Sequence, residues 1–95
     1  MIADLKRRAL HRTKILQGQL KGIEKMIENE EYCMDIITQS LAIQKSLSSL
    51  NKLIVENHLR THITDKFASA NDELHTEAIK ELLGLYELTH VRGKQ

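Results

Sequence analysis

The stretch Glu31–Phe67, EYCMDIITQSLAIQKSLSSLNKLIVENHLRTHITDKF, contains neither Pro nor Gly and decides the fold. Ile36, Ile43, Leu47, Leu50 and Ile54 recur at helical spacing, and Ile37, Leu41, Val55 and Leu59 form a second stripe beside them. The pattern predicts one helix of roughly 35 residues, about 50 Å long. That is longer than two companion helices can cover in one compact domain. Its second stripe is expected to meet another subunit.

On the N-terminal side, Leu5, Ala9, Leu16, Leu20, Ile23 and Ile27 form one helical stripe over about Ala3 to Asn29. Asn29, Glu30 and Glu31 read as a break whose acids suit the start of the next helix. On the C-terminal side, residues 69–72 form a short polar connection, with Asn71 as N-cap and Asp72 and Glu73 in the first turn of a third helix. That helix carries Leu74, Ala78, Ile79, Leu82, Leu83, Leu85 and Tyr86, and is expected to fray from Gly93 onward.

The composition agrees. With 95 residues, 41% apolar and 28% charged, the chain is one small globular domain spanning residues 1–95. Aromatic residues supply only 3% and Pro is absent, so the core must come from aliphatic side chains on packed helices. No Asn-Gly or Asp-Gly turn signals a hairpin. The expectation is an all-α protein.

The net charge of +1 conceals a polarity. Through Lys25 there are seven basic residues (Lys6, Arg7, Arg8, Arg12, Lys14, Lys21, Lys25) against Asp4 and Glu24, a net +5; the remainder carries −4. A cationic front end of this kind suits an anionic partner, nucleic acid or an anionic membrane, and fits equally a solvated helix face. Its cations wrap around more than one face, and no helix-turn-helix, zinc finger or β-ribbon is visible. DNA contact would therefore rest on phosphates and shape. A lone cysteine excludes an internal disulfide, and no apolar run reaches the ~18 residues of a membrane span. A soluble, cytoplasmic protein is expected.

Two histidines and the cysteine carry the chemistry. His58 and His62, four residues apart, share one helix face with Cβ atoms roughly 5–6 Å apart and can clip one metal ion. Cys33 adds a thiolate, and the mixed soft set suits copper or zinc; the plain alternative for Cys33 is a small apolar residue in a helix seam. On one continuous helix Cys33 and His58 stand about 37 Å apart and cannot bind one ion. If two such helices pack antiparallel across a dimer axis, Cys33 of one subunit meets His58 and His62 of the partner subunit. His11 either contacts phosphate or faces solvent, and His75 and His90 read as surface residues of the third helix.

Arg12-Thr13-Lys14-Ile15-Leu16-Gln17-Gly18-Gln19, Gly22-Ile23, Tyr32-Cys33-Met34-Asp35-Ile36 and Asn57-His58-Leu59-Arg60-Thr61-His62 together resemble the CsoR/RcnR/FrmR family of bacterial repressors, over about residues 5 to 88. The resemblance implies a three-helix protomer, an antiparallel homodimer and a homotetramer made of two dimers. It implies a repressor that binds operator double-stranded DNA when unliganded and is released by an inducer at an intersubunit site. Cys33, His58 and His62 correspond to the metal ligands. Tyr32 and Glu81 correspond to the pair that supports the ligands in the copper-sensing branch. Copper sensors usually carry Cys where this chain has His62; nickel and cobalt sensors also use an N-terminal His, formaldehyde sensors Pro at the second residue, and persulfide sensors two cysteines.

The leading expectation is a metal-responsive repressor taking Cu(I), with Ni(II) or Co(II) second and Zn(II) open to the same donor set. Arg12, Lys14 and Lys21 are the expected phosphate contacts, followed by Lys52 and Arg60. An enzyme is the competing class, but no acid-base pair or activated nucleophile converges in the sequence. A helical interaction module would leave the Cys33, His58 and His62 set to chance.

Overall fold

The computed structural model describes the backbone of residues 1–93 and the side chains of residues 1–88. Helix α1 (Ala3–Glu28) is followed by α2 (Cys33–His58), which runs without a break through a π-helical stretch (Leu59–Ile63) into α3 (Thr64–Ala68). A short connection then leads to α4 (Asp72–Gly93). The chain is all-α, three helical rods of which the second in sequence is the longest, and no strand occurs among the described residues.

The break after α1 lies where the polar residues placed it. The N–H of Glu31 bonds to the Met26 carbonyl and that of Glu30 to the Ile27 carbonyl, each at 3.0 Å. These two bonds satisfy carbonyls that the helix end would otherwise leave unpaired. Glu30 adopts φ 50°, the left-handed conformation that such an ending requires. The Tyr32 carbonyl then accepts the N–H groups of Asp35 and Ile36, which opens α2.

Contacts divide the chain into two compact units, Met1–Asn57 and His58–Gln95. In the first, Leu5 and Ala9 from the start of α1 pack with Leu53 from the end of α2, flanked by Ile2 and Leu50, so the two helices run antiparallel. Burying Leu5 or Leu53 contributes roughly 1.5–3 kcal/mol each. Only part of each apolar stripe is covered in this way. Leu20 and Ile27 of α1 are 55% and 58% exposed, and Ile37 and Leu41 of α2 are 50% and 54% exposed.

In the second unit the long helix departs from the uninterrupted α-helix expected from its periodicity. The backbone N–H of Thr64 reaches back five residues to the Leu59 carbonyl, and the Thr64 hydroxyl donates to the same oxygen at 2.7 Å. That double claim on one carbonyl widens the turn by a residue. Asn71 caps α4 as expected, its Oδ1 accepting the Glu73 N–H at 2.8 Å. Ile63 and Ala78 are buried.

His75 differs from the surface residue expected. It is half-buried, its ring nitrogen bonds to the Ser69 carbonyl, and its ring lies 6.0 Å from that of Phe67. The helix runs through Gly93, where fraying was expected to begin, and residues 94–95 and the His90 side chain lie outside the described residues.

Candidate metal centre and nucleic-acid interface

Cys33 is the first residue of α2 and its thiol is exposed. Tyr32, immediately before it, is also exposed. His58 is the last residue of α2, and His62 lies within the π-helical stretch. Their ring centroids are 5.2 Å apart with planes inclined by 41°, so the two imidazoles share one face as their spacing predicted. Since Cys33 and His58 open and close the same helix, about 37 Å separates them. Among the described residues no three His, Cys, Asp or Glu side chains of one chain gather as a metal would need.

The histidine end is built further by α4. Glu81 Oε2 lies 3.2 Å from His58 Nε2. Its other oxygen, Oε1, accepts a hydrogen bond from Lys66 Nζ at 3.1 Å, and Lys66 also lies 3.6 Å from Glu77 Oε2. The Lys66 hydrogen bond, helped by His58, holds the Glu81 carboxyl below its ordinary range, and Glu81 in turn raises the Lys66 ammonium. A carboxylate only accepts hydrogen bonds, so the His58 nitrogen facing it carries the proton. In the neutral ring the lone pair is then on Nδ1. A histidine oriented this way, a second imidazole beside it and an exposed thiol fit a soft metal ion, presented by one chain as two separate halves.

Cations gather in the first unit. Arg7, Arg8, His11, Arg12 and Ile15 of α1 face Ser49, Lys52, Leu53 and Glu56 of α2 across a groove of about 830 Å³. Arg12 and Lys52 thus share one surface. Lys14 lines a second recess of about 490 Å³ with Ala3, Lys6, Arg7, Leu10 and His11. Lys21 is exposed on α1 and lines neither, and Arg60 stands in the π-helical stretch of the second unit. Arg7 and Arg8 belong to the cationic front end counted from the sequence but were not among the expected phosphate contacts, and His11 was left between phosphate and solvent. The signal was present in the four-residue steps from Arg7 to His11 and from Arg8 to Arg12, which put each pair on one helix face. Asp4 pairs with Arg7 and, at 3.9 Å, with Arg8, drawing both toward the start of the helix.

A family model described as metal-sensitive transcriptional repressor matches residues 5–87. The chain belongs to that family, a class of repressors that respond to metal. It is 38% identical over 88 residues to the copper-sensing transcriptional repressor CsoR of Mycobacterium ulcerans, covering 93% of this chain and 73% of that protein. It is 39% identical over 84 residues to the protein of that name from Mycobacterium tuberculosis, covering 88% and 68%. The Bacillus subtilis CsoR is 34% identical over 77 residues, covering 81% and 73%. Among solved structures, the copper-sensing repressor CsoR with Cu(I) from Geobacillus thermodenitrificans superposes with a TM-score of 0.78 over 95% of this chain and 90% of that one. At 23% identity that likeness is one of fold.

Proposed function

We propose that this chain is a copper-responsive repressor that holds operator double-stranded DNA when metal-free and leaves it on binding Cu(I). Cys33 of one subunit and His58 and His62 of the partner subunit are the ligands, with Tyr32 and Glu81 supporting them. The observation that carries the reading is the His58–Glu81 contact, which directs one imidazole nitrogen at the carboxylate and leaves the other for metal. The copper-sensing names of relatives at 34–39% identity support the choice of metal. When bound, Cu(I) supplies bonds to a thiolate and two imidazoles that tie the start of one α2 to the end of another.

The protein's own part is division and assembly. Donors at opposite ends of α2 make the site depend on an antiparallel pair, and exposed Ile37, Leu41, Leu47 and Ile54 offer apolar surface for a homodimer and a homotetramer. Residues 1–95 act as a single sensing and DNA-binding domain, without catalysis, in the cytoplasm. Among the described residues no helix is long and apolar enough to cross a membrane. Arg12 and Lys52 meet phosphates in their shared groove, with Lys14, Lys21 and Arg60 beyond it. Metal and DNA oppose each other, so whatever factor copper takes from DNA affinity, DNA takes from copper affinity.

Titration of the reduced protein with Cu(I) in the presence of operator-length DNA tests this. Copper should release the DNA, and Cys33→Ala should bind copper more weakly. X-ray absorption of the loaded protein should show one sulfur and two nitrogen neighbours. Unchanged DNA affinity on copper addition, or wild-type copper affinity in Cys33→Ala, overturns the reading.

A further inference from the structure

We propose that Lys66 is a positioning residue for the metal centre: by holding one oxygen of Glu81 it aims the other at His58 and so sets which imidazole nitrogen carries the proton. The inference rests on His58 being a ligand, but its first readout does not involve metal. All the groups concerned lie within the second unit.

The geometry divides the work of one carboxylate. Oε1 of Glu81 takes the Lys66 ammonium at 3.1 Å, and Oε2 faces His58 Nε2 at 3.2 Å. The side chains of Glu81 and His58 are 40% and 41% exposed, so a single contact between them competes with water and with the freedom of a glutamate. Lys66 is the most enclosed of the set, 24% exposed, and reaches both Glu77 and Glu81. Those acids are four residues apart and therefore on one face of α4. A charge-assisted bond from an enclosed donor on α3 turns that face toward the histidine. Exposed ion pairs add little to stability, so the effect is on orientation rather than on folding.

The tautomer is the quantity Lys66 controls. With Glu81 fixed, the proton stays on Nε2 of His58 and the lone pair on Nδ1. With Glu81 released to solvent, the proton is free to occupy either nitrogen, and the competent form is diluted.

Long-range nitrogen-15 NMR of the metal-free full chain at mildly alkaline pH, where an imidazole is neutral, reads this directly, with His58 assigned by the signal lost in His58→Gln. Wild type should show His58 protonated at Nε2. In Lys66→Met the two ring-nitrogen shifts should move toward each other, Lys66→Arg should restore the wild-type pattern, and Glu77→Gln should leave it in place. Thermal midpoints should agree among the variants. Copper affinity of Lys66→Met should fall about tenfold or more, the loss expected when support for a ligand histidine is removed.

An unchanged His58 spectrum in Lys66→Met, or a wild type protonated at Nδ1, overturns the proposal. So does a shifted tautomer with unchanged copper affinity. If the tautomer shifts as stated but wild type itself binds no copper, the copper reading fails while the control of His58 by Lys66 stands.

Discussion

The side-chain oxygen of Asn57 accepts a hydrogen bond from the backbone N–H of Ile2 at 2.8 Å, fastening the start of α1 to the residue that precedes His58. Asn57 is buried, only 8% exposed, so the N–H of Ile2 obtains there the partner that water would otherwise provide. Asn57→Ala should cost about 1–3 kcal/mol, the penalty for unpairing a buried polar group. Asn51→Ala, an exposed change on the same helix, should stay within about 0.5 kcal/mol. Urea unfolding of both variants measures the difference, and equal midpoints would remove the fastening role.

Glu30 closes α1 in a left-handed conformation, φ 50°, that disfavours most side chains by roughly 1–2 kcal/mol. Asparagine tolerates it better. Glu30→Asn should therefore raise stability by about 0.5–1 kcal/mol with no change in the steepness of the urea transition.

Asn71 caps α4 through the Glu73 N–H. Asn71→Ala should cost about 1 kcal/mol, and Asn71→Asp much less, because Asp also accepts. Hydrogen exchange should quicken first at the Glu73 amide; uniform protection in the alanine variant would contradict the capping role.

The groove that joins Arg12 to Lys52 should be the electrostatic footprint on DNA. Arg12→Ala and Lys52→Ala should each lower the salt dependence of operator binding by about one unit of slope. Arg8→Ala should behave in the same way. Lys21→Ala, outside the groove, should change it less, and an equal loss there would place the footprint elsewhere along α1.

Much of this arrangement was legible in the sequence. Polar residues at 29–31 mark the end of α1, the absence of Pro and Gly across 31–67 marks the long middle rod, and Asn71 followed by two acids marks the start of α4. Each is a local preference of backbone and capping chemistry, which neighbouring residues settle among themselves. The facing of His58 and His62 is equally local.

The π-helical stretch was not legible, because helical periodicity assumes an unbroken α-helix and the Thr64 hydroxyl that shares the Leu59 carbonyl leaves no mark in an apolar pattern. The cationic groove needed α1 to lie antiparallel on α2, bringing Arg12 beside a lysine forty positions further along the chain. The link from Lys66 through Glu81 to His58 spans sequence separations of 15 and 23 residues.

The sequence by itself determined the rods, their ends and the shared face of His58 and His62, because propensity, capping and helical spacing act over a few residues. Only the tertiary structure decided which charges meet and how His58 is held, because those contacts form when burial of Leu5, Ala9 and Leu53 in one unit, and of Ile63 and Ala78 in the other, folds distant segments together.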